Sequence, residues 1–277
     1  MQNAGLAALG LNWRYLAFEV HPDNLRVALE GARFMRFVGI NLTVPHKLLA
    51  LGMMDALDES AQKWGAVNTV RFEGKDARGR WRPLREFEDA PRHVRSVGFN
   101  TDADAISRAL HQDVGLKLAG SRVLLLGAGG AGRTAALKLA SDNVKELFLV
   151  NRTRNKAEAV AREIRRHYPH VKATVGYSRG SVDLLINATS LGLKPADPLP
   201  FDEKKFSISH ADAVYDMIYR PAKTRLLKLA AAKGCRTSNG LGMLLYQGAK
   251  ALEIWTDRSA PIGIMRRALE KEVKKSE

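Results

Sequence analysis

Residues 124–133, LLLGAGGAGR, restrict the possible folds of this chain more than any other stretch. Gly127, Gly129 and Gly132 stand in G-x-G-x-x-G spacing. The apolar run RVLLLG (122–127) precedes them, and the helical pattern GAGRTAALKLA (130–140) contains the last of them. Alone the pattern is weak, but strand–turn–helix is the context that gives it meaning. Gly127 allows a tight turn, Gly129 lets backbone approach a pyrophosphate, and Gly132 lets helix and strand pack closely. The helix N-terminus then offers unpaired N–H groups and a partial positive charge to phosphates. A glycine-rich loop with no ligand is the competing reading, and the flanking strand and helix argue against it.

The pattern around this turn repeats. ELFLV (146–150), DLLIN (183–187) and AVYDM (213–217) read as short buried strands. Between them Ala157, Val160, Ala161 and Ile164 fall on one helical face. Such alternation predicts a parallel sheet covered by helices on both faces. The first hundred residues are also mixed α/β, with strands expected over 16–20, 37–40 and 67–72. The residues from Gly240 onward read as two helices. We expect a two-domain α/β chain, with a domain over 1–102, a nucleotide domain over 103–239, and helices over 240–277 that return to the first domain.

The end of the second strand of the nucleotide domain selects the cofactor. NAD sites place a carboxylate there to hold the ribose 2′-hydroxyl. This chain has VNRTRNKAE: Asn151, Arg152, Thr153, Arg154 and Lys156, with no acid before Glu158. Guanidinium and ammonium groups would bind a 2′-phosphate that a carboxylate would repel. The expectation is NADP(H). A solvated helix start explains Arg154 as well, but fits Arg152 and Thr153 less well.

The chain carries 44 basic and 29 acidic residues, net +15. A surface this basic attracts polyanions. The charge is dispersed, however, and lacks the interleaved aromatics of a single-strand binder, so no nucleic-acid partner is expected. No apolar run is long enough to span a bilayer and no signal segment opens the chain, which gives a cytoplasmic expectation. Cys235 is the only cysteine, so no intrachain disulfide can form. The seven histidines show no ligand spacing, and no metal is expected.

Several motifs then occur in one order: NLTVPHK (41–47), GAVNT (65–69), GFNTD (98–102), GAGGAGR (127–133), NRTRNKA (151–157), NATSLGL (187–193), YDMIYRPAKTRLL (215–227) and NGLGMLLYQGA (239–249). Over nearly its whole length the chain resembles the shikimate dehydrogenases. The resemblance implies an α/β substrate domain and a Rossmann-like NADP-binding domain with a parallel sheet. It implies NADPH-dependent, reversible reduction of 3-dehydroshikimate to shikimate, on the route to chorismate and the aromatic amino acids, by a monomer or homodimer. It places catalysis on Lys47 and Asp102, beside Asn41, and substrate binding on Thr43, Asn68, Tyr219 and Gln247. It assigns the cofactor to Gly127, Ala128, Gly129, Gly130, Ala131, Gly132, Asn151, Arg152, Thr153, Lys156, Thr189, Ser190, Met217 and Gly240.

Those residue types suit the chemistry independently. Ketone reduction needs a hydride and a proton for the developing alkoxide, and an ammonium beside that oxygen can stabilise charge and give the proton. A carboxylate beside the lysine would hold it in place. Which of Lys47 and Asp102 delivers the proton is left open by sequence. A polyhydroxylated substrate needs amide and hydroxyl partners. Taken singly, Lys47 reads as a surface lysine and Asp102 as a helix cap. The ordered motif set reverses both readings. Two rivals remain: a quinate/shikimate dehydrogenase, and a non-catalytic NADP-binding homologue.

Three departures from the family pattern stand out. Met1-Gln2-Asn3 aligns with a step that the family reaches only after a strand and a Ser-x-Ser-Pro segment. A start codon assigned too late is the expectation, with a true truncation as the alternative. The first helix would accordingly open without a capping residue. Asp102 is followed by Ala-Asp-Ala where the family usually has glycines. Residues 73–96 form an insert carrying Lys75, Arg78, Arg80, Arg82, Arg85, Arg92 and Arg95. It reads as a polar hairpin, with a contact surface as the sharper alternative.

Overall fold

A computed structural model describes residues 1–274. Helices are α1 (Gln2–Ala8), α2 (Leu25–Phe34), α3 (His46–Leu49), α4 (Glu59–Trp64), α5 (Asp102–Val114), α6 (Gly130–Ser141), α7 (Arg154–His167), α8 (Arg225–Ala232), α9 (Leu241–Thr256) and α10 (Ile262–Lys274). Strands are β1 (Gly39–Asn41), β2 (Ala56–Leu57), β3 (Thr69–Lys75), β4 (Trp81–Pro83), β5 (Val94–Phe99), β6 (Arg122–Leu126), β7 (Glu146–Val150), β8 (Lys172–Val175), β9 (Val182–Asn187), β10 (Ala211–Asp216) and β11 (Arg236–Asn239). One compact unit comprises Met1–Asp102 with Gln247–Leu269. The other comprises Ala103–Tyr246 with the described residues from Glu270 onward.

The first unit holds a mixed sheet in the order β1-β3-β5-β2, with β4 added to β3 as a hairpin. Strand β3 is antiparallel to both β1 and β5, so those two run the same way and end at the same edge. The register sets Asn41, Thr69 and Phe99 side by side at that edge. Leu25, Leu29, Ala32, Val67, Val70 and Phe72 form the core beneath. Trp255 of α9 closes it, and its indole Nε1 donates to the Val70 carbonyl at 2.9 Å. Gly39 makes that approach possible: a Cβ there would lie 2.0 Å from Trp255 Nε1 and 2.4 Å from the Val70 carbonyl oxygen. Gly39→Ala should therefore break the indole bond and overpack the site, at about 3 kcal/mol. Thermal unfolding should show Tm lowered by roughly 6–12 °C; an unchanged Tm would contradict this account.

The strand expected over 16–20 is absent. Its alternating apolar pattern suits a strand, but among the described residues the segment joins neither sheet. Leu16 and Phe18 are each 65% exposed. Tyr15 anchors one end, its N–H donating to Asn3 Oδ1 at 2.7 Å, and Phe18 lies 6.0 Å from Phe37 between ring centroids. The strand expected over 37–40 begins later, at Gly39, and is half-buried. Helix α1 does open without a side-chain cap. The basic insert is a hairpin in which Arg80, Arg82 and Arg95 hold Asp76, Glu86 and Glu73, while Arg85 reaches Asp257.

The second unit is a six-stranded parallel sheet in the order β11-β10-β9-β6-β7-β8. The chain starts in the middle at β6, runs outward to β8, then returns to β9 on the other side. Ligands of open α/β sheets bind at such a reversal, beyond the carboxyl ends of the strands. The inner strands read as largely apolar runs because both faces are covered: Leu124, Leu126, Leu185 and Val214 are buried, whereas the edge strands β8 and β11 are partly exposed. Ala157, Val160, Ala161 and Ile164 form the buried stripe of α7.

Candidate functional site

In the first unit the common sheet edge gathers the site. Beyond β1 the chain turns at Thr43–His46, where the His46 N–H donates to the Thr43 carbonyl at 2.8 Å. Helix α3 then begins, and the Lys47 carbonyl accepts from the Val67 N–H at 2.9 Å, which ties it to the segment entering β3. Beyond β5, Asn100 anchors its side chain on the Ala66 carbonyl, and its Oδ1 accepts from the Asp102 N–H at 3.1 Å. These restraints bring Lys47 Nζ to 2.6 Å from Asp102 Oδ2. Both side chains are largely covered yet retain some exposure, 28% and 11%.

Asn68 precedes β3, between the two, and is 1% exposed. Its Nδ2 donates to Thr101 Oγ1 at 3.0 Å and, at 3.5 Å, to Gln247 Oε1. Its Oδ1 accepts from the Thr101 N–H at 2.8 Å. Asn41 donates to Thr69 Oγ1 at 3.0 Å and accepts from the Tyr15 hydroxyl at 3.0 Å. Thr43 is exposed at the turn. An ammonium, a carboxylate, the three amides of Asn41, Asn68 and Gln247, and hydroxyls are therefore gathered at one edge, a set that can position a polar molecule and exchange a proton with it.

In the second unit Gly127 adopts φ +105°, where a side chain is strained. A Cβ on Gly132 would lie 2.2 Å from the Gly127 carbonyl oxygen, whereas Cβ atoms on Gly129 and Gly130 would meet nothing within 4 Å. The turn is thus closed on its helix side and open above Gly129 and Gly130, as a bound pyrophosphate requires. Asn151 Oδ1 accepts from the Ala128 N–H at 3.0 Å, and its Nδ2 donates to the Thr153 carbonyl at 2.8 Å, so one amide fixes both loops. Arg152, Thr153 and Lys156 are exposed at the start of α7. Arg154 pairs with Glu158 at 2.8 Å, which accounts for it as a helix-surface residue. The residues present fit NADP(H).

Three family models match the chain: the shikimate dehydrogenase substrate-binding domain over residues 1–70, shikimate/quinate 5-dehydrogenase over 109–192, and the shikimate 5-dehydrogenase C-terminal domain over 240–270. The chain is 37% identical to the NADP(+) shikimate dehydrogenase of Desulforamulus reducens, over 99% of its own length and 90% of that protein's. The chain belongs to the shikimate dehydrogenase family. Among solved structures it is similar to shikimate 5-dehydrogenase of Thermus thermophilus, crystallised with NADP(H) and shikimate. That match has TM-score 0.79 and 34% identity, over 97% of this chain and 92% of that one. It is also similar to the 5-ketofructose reductase of a Gluconobacter strain, with TM-score 0.78 and 33% identity, over 98% and 92%.

Within the shikimate dehydrogenase framework, the first unit brings together Lys47, Asp102, Asn68 and Gln247, with Thr43 on the adjoining turn. The second unit carries Tyr219, 39% exposed, and every residue assigned to the cofactor. Sequence reasoning missed Thr101, which pairs with both ends of the Asn68 amide, and Asn100, which fixes the start of α5. Both lie inside GFNTD. A polar residue buried at a strand end has the composition of a loop residue, so only the recurrence of the motif signals them.

Proposed function

We propose that this chain catalyses the reversible, NADP-dependent reduction of 3-dehydroshikimate to shikimate in the pathway to chorismate. The observation that carries this reading is the Lys47–Asp102 pair, held at 2.6 Å on an edge that also presents Asn68 and Gln247. Membership of the shikimate dehydrogenase family, and similarity to an enzyme crystallised with NADP(H) and shikimate, support it.

NADPH, when bound, supplies the hydride. Reduction leaves negative charge on the former carbonyl oxygen, and this chain's residues must stabilise that charge and protonate it. The Lys47 ammonium carries both charge and proton, and Asp102 fixes its direction. Asn68 and Gln247 offer amide groups to the ring hydroxyls. Because each amide is itself held by a protein partner, little ordering is left for the substrate to impose. In oxidation the same pair accepts the proton from the hydroxyl. Arg152 and Lys156 select the 2′-phosphate.

The test is nicotinamide absorbance with shikimate and NADP+, beside quinate, 5-ketofructose with NADPH, and NAD+. The expected result is a kcat/KM for shikimate with NADP+ at least about tenfold above each alternative pairing, a difference of about 1.4 kcal/mol. No turnover of shikimate, with NADP+ still bound, would overturn the proposal.

A further inference from the structure

The second unit contains a buried carboxylate to which the proposed reaction assigns no part. Asp216 ends β10 and is 0% exposed, and among the described residues no lysine or arginine pairs with it. Burial pushes its carboxyl above the ordinary aspartate range, against the pull of its hydrogen bonds from Thr224, Ile218 and Asn187. A buried charge of this kind is costly unless its oxygens are satisfied, and three donors satisfy these. Oδ2 accepts from Thr224 Oγ1 at 2.7 Å. Oδ1 accepts from the Ile218 N–H and from Asn187 Nδ2, each at 3.0 Å.

Thr224 caps α8, and the other two donors, Ile218 and Asn187, belong to two different turns. Ile218 lies between Met217 and Tyr219. Asn187, also fully buried, ends β9 and organises the next turn: its Oδ1 accepts from the Thr189 N–H at 3.0 Å and the Thr189 hydroxyl at 2.7 Å. Its Nδ2 also donates to the Leu191 carbonyl at 3.1 Å. The turns touch as well. A Cβ on Gly192 would meet Ile218 Cδ1 at 3.3 Å and Thr224 Cγ2 at 3.5 Å. Gly240 packs so tightly on Met217 that a Cβ would lie 2.0 Å from the Met217 carbonyl oxygen.

We infer that Asp216 is a positioning residue that locks the Thr189–Ser190 turn and the Met217–Tyr219 turn into a single cofactor-binding unit through Asn187. It touches neither cofactor nor substrate. Instead, it makes the two turns order and loosen together, so that NADP(H) meets a preformed surface. This rests on the assignment of those turns to the cofactor under the proposed function.

The test uses the full chain with Asp216→Asn, which keeps the side chain's size but replaces an acceptor with a donor. Thr224→Val, which deletes the bond to Asp216 together with the cap that the Thr224 hydroxyl gives the Leu227 N–H at the start of α8, provides a second variant. Amide hydrogen exchange without cofactor should speed up together at 188–192 and 217–219 in both variants. KM for NADP+ should rise about tenfold in Asp216→Asn, with kcat at saturating cofactor within about threefold. Thr224→Ser, which retains the hydroxyl, should restore KM to within about twofold. Faster exchange confined to 217–227, as expected of a residue that only steadies α8, would overturn the inference, as would an unchanged KM. Arg152→Ala, measured in parallel, separates the two readings. If it leaves NADP+ binding intact, the cofactor assignment fails, while the exchange result still decides whether the turns are coupled.

Discussion

Lys47→Met should lower kcat for shikimate oxidation by about 10³-fold, within the range for loss of a positioned acid–base group. Shikimate should still bind to within about tenfold, because Asn68, Gln247 and Thr43 remain. Methionine matches the lysine stem in length, so the packing of α3 and the bond from the Val67 N–H to the residue 47 carbonyl should survive. The effect then lies in the ammonium group alone. Asp102→Asn separates the partners. It keeps the Lys47 charge but loosens the contact that aims it, and kcat should fall by about 10²-fold. Steady-state kinetics with both variants ranks the roles. Equal kcat in wild type and Lys47→Met would remove Lys47 from the chemistry, and a larger loss in Asp102→Asn would move the proton to the carboxyl group.

The second large effect concerns the cofactor. Arg152→Ala combined with Lys156→Ala should weaken NADP+ binding about 100-fold, while NAD+ binding stays within about threefold. A charge-assisted hydrogen bond contributes roughly 1.5–3 kcal/mol, and exposed groups sit at the low end of that range. Two such bonds give about 3 kcal/mol, or two orders of magnitude. Arg154→Ala is the internal control, since its guanidinium is already engaged by Glu158, and it should change neither affinity more than about threefold. Calorimetric titration with both dinucleotides checks this. A parallel loss of NAD+ and NADP+ affinity would show that the pair holds a feature common to both.

Legibility in the sequence followed physical cause. The four inner strands of the second unit, β6, β7, β9 and β10, are mostly buried and appear as largely apolar runs, and β7 is legible to the residue, whereas the edge strands β8 (KATV) and β11 (RTSN) are polar and partly exposed and leave no such signal. The α7 stripe was readable because a helix buries one face at a fixed period. The edge that gathers Lys47, Asn68 and Asp102 was not readable from any local pattern. It depends on β3 running antiparallel to two strands that end level with each other, and only the ordered motifs pointed to it. Residues 16–20 show the opposite failure. Alternation records what a segment could bury, but a strand exists only where a neighbour supplies backbone partners. Asp216 and Asn187 escaped notice for a third reason: their roles lie in hydrogen bonds to each other across adjacent strands, and no one-dimensional spacing encodes these.

In concentrated solution the bare flank of β1 becomes a matter of colloid chemistry. Among the described residues β1 pairs only with β3, so its other side can be satisfied by the same strand of a second molecule. Leu16, Phe18, Val27, Phe34, Met35 and Val44 are exposed in the same stretch of chain and add an apolar attraction. Opposing this is the net charge of +15, which makes any two molecules repel. That repulsion reaches about 10 Å at 0.1 M salt and about 3 Å at 1 M, while strand pairing and apolar contact need no charge at all. Ionic strength thus acts on the barrier and spares the attraction. The high salt that releases a basic protein from glass and nucleic acid should therefore also raise the light scattering of a concentrated solution of this one.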